Sequence, residues 1–226
     1  MDDNLGHFLL GSTSPDIRVI TRREREEYHF APLDFDDVGA GIARMFDSHP
    51  DLMSAGDYSG QTQAFIAGYL THLVVDETWI TSMFRPYFGN PVVFEDEVLG
   101  LVMDRALQME LDRQAWETAA ATRSRLEAAS ERVEIGFIPS ETLEEWRLWV
   151  LGSLDRGFSW DRLRFMARRI AAGDDGHPAH QVADDFVQSM PGSLETLCES
   201  VPGKDLTNLK DRTIQSLVRV VGDYLP

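Results

Sequence analysis

A histidine and an aspartate lie in the middle of the most apolar segment of the sequence, AFIAGYLTHLVVDETWI at positions 64–80. His72 and Asp76 lie four residues apart, and in a helix this spacing puts both side chains on one face. Because burying an unpaired carboxylate is costly, Asp76 needs a partner, and a divalent cation held by both side chains is one solution. Taken alone, the pair favours a simpler interpretation, an aspartate hydrogen-bonded to the histidine, since His-x-x-x-Asp is short and common.

Two residues earlier in the chain add to this pair. Asp16 lies in a glycine- and proline-containing loop, GSTSPDIR, and His29 lies between two aromatic residues after a run of charges. Taken singly, Asp16 fits a turn and His29 fits a half-buried structural histidine. Together with His72 and Asp76 they make a set of two aspartates and two histidines, which are the donors that zinc or another hydrolytic metal takes.

The ordered string FLLGSTSPDI … YHF … AFIAGYLTHLVVDETW resembles the zinc-dependent phospholipase C family. That family includes bacterial phospholipases C and the N-terminal domain of glycosylphosphatidylinositol-specific phospholipase D, and it shares an all-α fold with fungal zinc nucleases. The resemblance covers residues 8–84 and rests on three motifs: a small-residue–Pro–Asp loop, a histidine before an aromatic residue, and Gly-aromatic-x-x-His-x-x-x-Asp followed by a tryptophan. It implies that the metal ligands are Asp16, His29, His72 and Asp76.

The resemblance also implies a function. We expect a metal-dependent, phospholipase C-like hydrolase that acts on a small phosphoester or phospholipid through a metal-bound water. Asp16 is then the catalytic candidate, either as a ligand or as the base that orients the water. Because no histidine follows Asp76 in ETWITSMFRPYF, we expect one or two zinc ions, or another divalent metal, rather than three. The alternative is a non-catalytic helical domain with a structural metal or a His–Asp network.

Other candidate groups fit ordinary roles better. The pair His180 and Asp184 repeats the four-residue spacing at a predicted helix start, where such residues often cap helices. His7 could replace an N-terminal family histidine but fits a loop-to-helix junction. The basic stretch RVITRRER is a candidate anion-steering patch, although its charges and those that follow are typical of a solvated face.

Composition excludes several classes of protein. With 226 residues, a net charge of −17 and a pI of about 4.6, the chain is not expected to bind nucleic acid by electrostatics. A single cysteine, Cys198, allows no intrachain disulfide, and no apolar run is long enough for a transmembrane segment. The start MDDNLGHFLLG lacks the basic residues of a secretory signal, so we expect a cytoplasmic protein. The sequence leaves the oligomeric state open.

The chain must position these residues on helices. Apolar spacing and the positions of glycine and proline predict an all-α, multi-helix domain. The resemblance implies that it is a bundle of the phospholipase C and zinc nuclease type. We expect a single domain, with the site in residues 1–90 and a second helical half in 91–226. A central buried helix carries His72 and Asp76, residues 94–130 form one long helix or two with a kink near Gly100, and the first thirty residues are irregular.

Overall fold

The computed structural model describes residues 2–129, 133 and 135–225. The structure is 75% helix, and the described residues contain no strand, so the all-α prediction is confirmed. The α-helices are α1 (Leu5–Thr13), α2 (Arg18–Thr21), α3 (Glu26–His29), α4 (Ala40–Ser48), α5 (Gly60–Trp79), α6 (Glu97–Ala121), α7 (Arg123–Ala128), α8 (Ser140–Asp155), α9 (Arg162–Ile170), α10 (Ala179–Gln188), α11 (Gly192–Ser200) and α12 (Gly203–Tyr224). Short 3₁₀ turns lie at Asp2–Asn4, Ser14–Ile17, Pro50–Met53 and Ala55–Asp57, and a π-helix at Ile80–Phe88.

The expectation of an irregular N-terminus is wrong, because α1, a 3₁₀ turn, α2 and α3 occupy most of the first thirty residues. The glycines of this segment serve close packing rather than helix breaking. A Cβ on Gly11 would lie 2.0 Å from the Phe65 carbonyl oxygen, and one on Gly68 would lie 2.0 Å from the Phe8 carbonyl oxygen. Helices α1 and α5 therefore approach each other backbone to backbone, which only glycine permits at these two positions.

Helix α5 is the predicted central buried helix. Thirteen of its twenty residues are buried, including Phe65 and Tyr69, which have almost no exposed surface. The Tyr69 hydroxyl donates a 2.5 Å hydrogen bond to the Tyr28 carbonyl oxygen, so the polar end of this large side chain is satisfied inside the core. After Trp79 the helix widens into the π-helix, which contains Pro86. A proline lacks the N–H that donates the hydrogen bond in a regular α-helix, so an irregular helical turn is expected around Pro86.

The long helix predicted over residues 94–130 is broken, but not at Gly100. Helix α6 ends at Ala121 and α7 begins at Arg123. Gly100 lies inside α6, where a Cβ would come 2.2 Å from the Phe88 carbonyl oxygen. This glycine allows close packing and does not mark the kink.

The chain divides into two compact units. The first contains Met1–Thr78, Ala119–Arg156 and Asp211–Pro226, and the second contains Trp79–Thr118 and Gly157–Lys210. Each has its own hydrophobic core, built around α5 in the first unit and around α6 in the second. The sequence halves 1–90 and 91–226 cut across both units, because the chain leaves each unit and returns to it. All four residues of the predicted site belong to the first unit.

Within the described ranges, no helix combines the length and the apolar character needed to cross a bilayer.

Candidate metal centre

Three of the four predicted ligands converge. Asp16, His29 and His72 each offer one ligand atom, and these atoms all lie within 4.8 Å of one another. The His29 and His72 rings meet edge to face, with centroids 5.3 Å apart, and His29 Nε2 lies 3.8 Å from Asp16 Oδ1. Residues separated by up to 56 positions in the chain thus form one polar cluster.

Asp16 lies in the 3₁₀ turn between α1 and α2. The Ser14 hydroxyl donates a 2.7 Å hydrogen bond to the Leu10 carbonyl oxygen, and the neighbouring Ile17 side chain is completely buried. These two anchors fix the backbone on either side of Asp16. The Asp16 carboxylate itself is 56% exposed, so it lies at the solvent side of the cluster.

His29 is the buried member of the cluster. It ends α3, where its N–H donates to the Arg25 carbonyl oxygen at 2.8 Å and Phe30 adopts a left-handed conformation. Its side chain is 2% exposed, and neither ring nitrogen has a hydrogen-bond partner among the described residues. Burial and then the positive charge of Arg25 lower the pKa of His29 to about 3. The imidazole is therefore neutral at physiological pH, which is the form that binds metals.

His72 is oriented by α1. Its Nδ1 lies 2.8 Å from the Ser12 carbonyl oxygen, at the place where Gly11 and Gly68 bring the two helices together. A carbonyl oxygen only accepts hydrogen bonds, so Nδ1 carries the proton and the lone pair belongs to Nε2. Metal-binding histidines are commonly oriented in this way by a second partner.

Asp76 contacts an arginine instead of joining the cluster. Both Asp76 carboxylate oxygens accept hydrogen bonds from the Arg25 guanidinium, with Nη1 at 3.4 Å from Oδ1 and Nη2 closer to Oδ2. Its role as a metal ligand stays a prediction. Sequence reasoning missed Arg25, although the sequence contains a signal for it. Arg25 and His29 are four residues apart, as are His72 and Asp76, so the two pairs have the spacing needed to face each other.

Glu77 is a second residue that sequence reasoning missed. Its buried carboxylate accepts hydrogen bonds from the N–H groups of Gly39 and Gly41, at 2.5 and 2.6 Å, at the start of α4. Burial raises the pKa of Glu77, and the bonds from the backbone oppose that rise. A Cβ on Gly41 would lie 2.6 Å from the His29 carbonyl oxygen, so Glu77 holds α4 directly against the backbone of a cluster residue.

The other candidates do not form a comparable site. His180 Nε2 lies 3.1 Å from the Asp174 carbonyl oxygen, and Asp184 accepts a hydrogen bond from Arg164 Nε at 2.5 Å. His7 is buried in α1, and Cys198 is exposed. Within the part of the chain that the structure describes, Asp16, His29 and His72 are the only group of three or more such side chains close enough to hold one ion.

Comparison of the chain with family models, with curated proteins and with solved structures gives no match. The phospholipase C resemblance therefore stays an expectation.

Proposed function

We propose that this protein is a metal-dependent phosphoester hydrolase in which Asp16, His29 and His72 hold a divalent cation, zinc foremost. The observation that carries the proposal is a buried imidazole, His29, whose ring nitrogens have no hydrogen-bond partner among the described residues, beside a second imidazole and a carboxylate at ligand distances. The phosphoester substrate rests on the family resemblance of the motifs around these residues.

The cluster fits a metal better than a hydrogen-bond network. A buried polar group that loses its hydrogen bonds costs about 1–3 kcal/mol. The His29 ring nitrogens have no partner in the described ranges, so His29 is destabilising there unless something binds them. Two imidazole nitrogens and one carboxylate oxygen are the donor set of many hydrolytic zinc sites, in which substrate or water takes the remaining position. The exposed Asp16 side chain lies at the solvent side, which favours an open catalytic site over a closed structural one.

Each residue has a distinct part in this proposal. A divalent cation at the site would polarise a phosphoryl oxygen and acidify a bound water. His29 presents a neutral ring nitrogen without having to lose a proton first, because its pKa is about 3. His72 presents Nε2 in a direction that the Ser12 carbonyl fixes. Asp16 has two oxygens, so one can bind the cation while the other accepts a proton from the attacking water.

The second candidate is a helical domain without catalysis. It is favoured by the Arg25–Asp76 ion pair, because the acid that first suggested a metal in α5 has a protein partner. In that case the His29–His72 contact is structural, with or without a cation. The two candidates differ in whether the site turns over a phosphoester when the metal is present.

Metal analysis combined with a hydrolysis assay tests the proposal. We expect the purified protein to retain zinc, to hydrolyse a chromogenic phosphoester, and to lose both properties with a strong chelator. His29→Phe removes a metal donor but no hydrogen bond within the part of the chain that the structure describes, so the variant should fold and bind no zinc. His180→Ala is the matched control and should behave as the natural protein. Absence of zinc binding would contradict the proposal, and zinc binding without hydrolysis of any phosphoester would support the second candidate.

A further inference from the structure

We propose that Glu77 is a positioning residue that fixes the distance between the His29 and His72 imidazoles. The inference rests on the proposed function where it concerns metal binding, and it adds to the centre a residue outside the ligand set Asp16, His29 and His72.

Glu77 is attached to the same helix as His72 and holds a second helix against it. It follows His72 by five residues in α5, about 7.5 Å along the helix axis. Its side chain is buried, and its carboxylate accepts hydrogen bonds from the N–H groups of Gly39 and Gly41 at 2.5 and 2.6 Å. A buried carboxylate that lost such donors would be left at a high cost in free energy, so α5 and the start of α4 are firmly joined.

Helix α4 depends on Glu77 for its N-terminal cap. The residue before the helix is Gly39, which has a left-handed φ of 106° and no side chain that could accept a hydrogen bond. Serine, threonine, aspartate or asparagine usually occupies this position and caps the first N–H groups itself. Here the acceptor is supplied by a residue 38 positions later in the chain. The start of α4 is therefore fixed by α5 and not by its own sequence.

The start of α4 in turn supports His29. A Cβ on Gly41 would lie 2.6 Å from the His29 carbonyl oxygen and 2.8 Å from Glu77 Oε1. The same point lies 3.6 Å from Cδ1 of Leu73, the neighbour of His72. Because α3 has only four residues, its own hydrogen bonds cannot fix His29 firmly. A continuous series of contacts thus leads from α5 through Glu77 and Gly41 to His29, whose ring lies 5.3 Å from that of His72, centroid to centroid.

This series of contacts has a consequence for metal binding. Two imidazoles share one cation only if their spacing is correct, and the loss of groups that orient metal ligands commonly weakens metal binding 10- to 100-fold. Glu77 could instead act through its negative charge alone, or only stabilise the fold. The three roles predict different results when the charge and the hydrogen bonds are removed separately.

Zinc titration of the full chain separates these roles. Glu77→Gln keeps the length of the side chain and one oxygen acceptor, whereas Glu77→Ala removes both acceptors. We expect zinc binding to weaken about tenfold in Glu77→Gln and about 100-fold in Glu77→Ala. Both variants lack the charge, so equal losses would show that only the charge matters. Zinc affinity equal to that of the natural chain would show a purely structural role, and either result would overturn the proposal.

A pair of glycine variants tests the same contacts with every charge in place. Gly41→Ala must displace the His29 carbonyl and should weaken zinc binding about tenfold. Gly100→Ala is the matched control, because its Cβ would lie 2.2 Å from the Phe88 carbonyl oxygen in the second unit, which contains no residue of the cluster. It should lower stability in urea but leave zinc affinity unchanged. Unchanged zinc affinity in Gly41→Ala would contradict the proposal.

A measurement without metal distinguishes this inference from the proposed function. The chain has six histidines, so their ring protons can be assigned by nuclear magnetic resonance. We expect a nuclear Overhauser effect between the His29 and His72 rings in the natural chain and in Gly100→Ala, and its loss in Glu77→Ala. If this loss occurs but the natural chain binds no zinc, the proposed function fails and the positioning role stands. An undiminished effect in both Glu77 variants would overturn the positioning role, whatever the zinc titrations give.

Discussion

The spacing Gly-x-x-x-His-x-x-x-Asp occurs twice in the chain, once in each compact unit. In α5 it places Gly68, His72 and Asp76, and around the start of α10 it places Gly176, His180 and Asp184. The local contacts are alike, because each histidine contacts a backbone carbonyl oxygen and each aspartate pairs with an arginine. Only the first copy belongs to a cluster that could hold a metal.

The difference between the two copies comes from outside the motif. His72 gains His29 and Asp16 from distant parts of the chain, and its aspartate–arginine pair is well protected. In the second copy the Arg164–Asp184 pair is more exposed, and its arginine also contacts Asp161. A helix pattern therefore determines which neighbours are within reach, whereas long-range packing determines whether a site forms.

The largest expected effect is on zinc affinity. His72→Ala should weaken zinc binding about 100- to 1,000-fold. A zinc site with four ligands has a binding free energy of about 10–16 kcal/mol, so the loss of one ligand removes about a quarter of it. His180→Ala, the same change in the second copy, should leave zinc binding unchanged. Competition with a chromogenic chelator measures both. An equal loss of zinc affinity in His72→Ala and His180→Ala would show that the first copy of the motif is not the one that binds the metal preferentially.

The glycines of the two copies should differ next. Gly68→Ala puts a Cβ 2.0 Å from the Phe8 carbonyl oxygen, a backbone atom that cannot move alone, and should destabilise the protein by about 3 kcal/mol. Gly176→Ala meets only the Asp174 side chain, at 3.3 Å, and should change stability by less than about 0.5 kcal/mol. Urea unfolding gives both values. A tolerated Gly68→Ala would mean that α1 and α5 do not need this close contact.

These contacts also show how far the sequence could predict the structure. Periodicity located α5 and the two histidines, because local spacing determines a helix face. It missed α1, since the glycines that suggested a loop are explained only by α5 lying against them. It put Arg25 on a solvated face and missed its pairing with Asp76, because nothing in a linear pattern shows that one helical turn faces another. Glu77 escaped notice for the same reason: its partners are backbone N–H groups 36 to 38 residues away.

The aspartate–arginine pairs should differ in their contribution to stability. Asp76→Asn leaves Arg25, which is 16% exposed, without its carboxylate, and should cost about 2 kcal/mol. Asp184→Asn leaves Arg164, which is 36% exposed, still in contact with Asp161, and should cost less than about 1 kcal/mol. Urea unfolding in the presence of a chelator isolates this effect from metal binding. A larger loss of stability in Asp184→Asn than in Asp76→Asn would contradict the conclusion that burial strengthens the first pair. If Asp76→Asn binds zinc as weakly as His72→Ala does, that result would support Asp76 as a ligand.

The smallest expected effect is the change in the free energy of unfolding per pH unit. It reports on His29, which contacts the first copy of the motif and has no counterpart in the second. Without metal, the pKa of His29 is about 3 in the folded chain and about 6.5 in the unfolded chain. Well above pH 6.5 the imidazole is neutral in both states and contributes no pH dependence. Below pH 6.5 the unfolded chain takes up a proton that the folded chain excludes, so the free energy of unfolding falls by up to about 1.4 kcal/mol per pH unit toward pH 3.

His29→Phe removes this proton uptake. As the pH falls from 6.5 to 4.5, the free energy of unfolding of the natural chain should therefore decrease more steeply than that of His29→Phe. The difference between the two slopes corresponds to the uptake of up to one proton on unfolding. Above pH 7 the difference in stability between the two proteins should stay constant. Urea unfolding at a series of pH values, with chelator throughout, measures the two slopes. Parallel slopes would mean that His29 is protonated as readily in the folded chain as in the unfolded one. In that case the buried, neutral imidazole on which the proposed metal site depends would not exist.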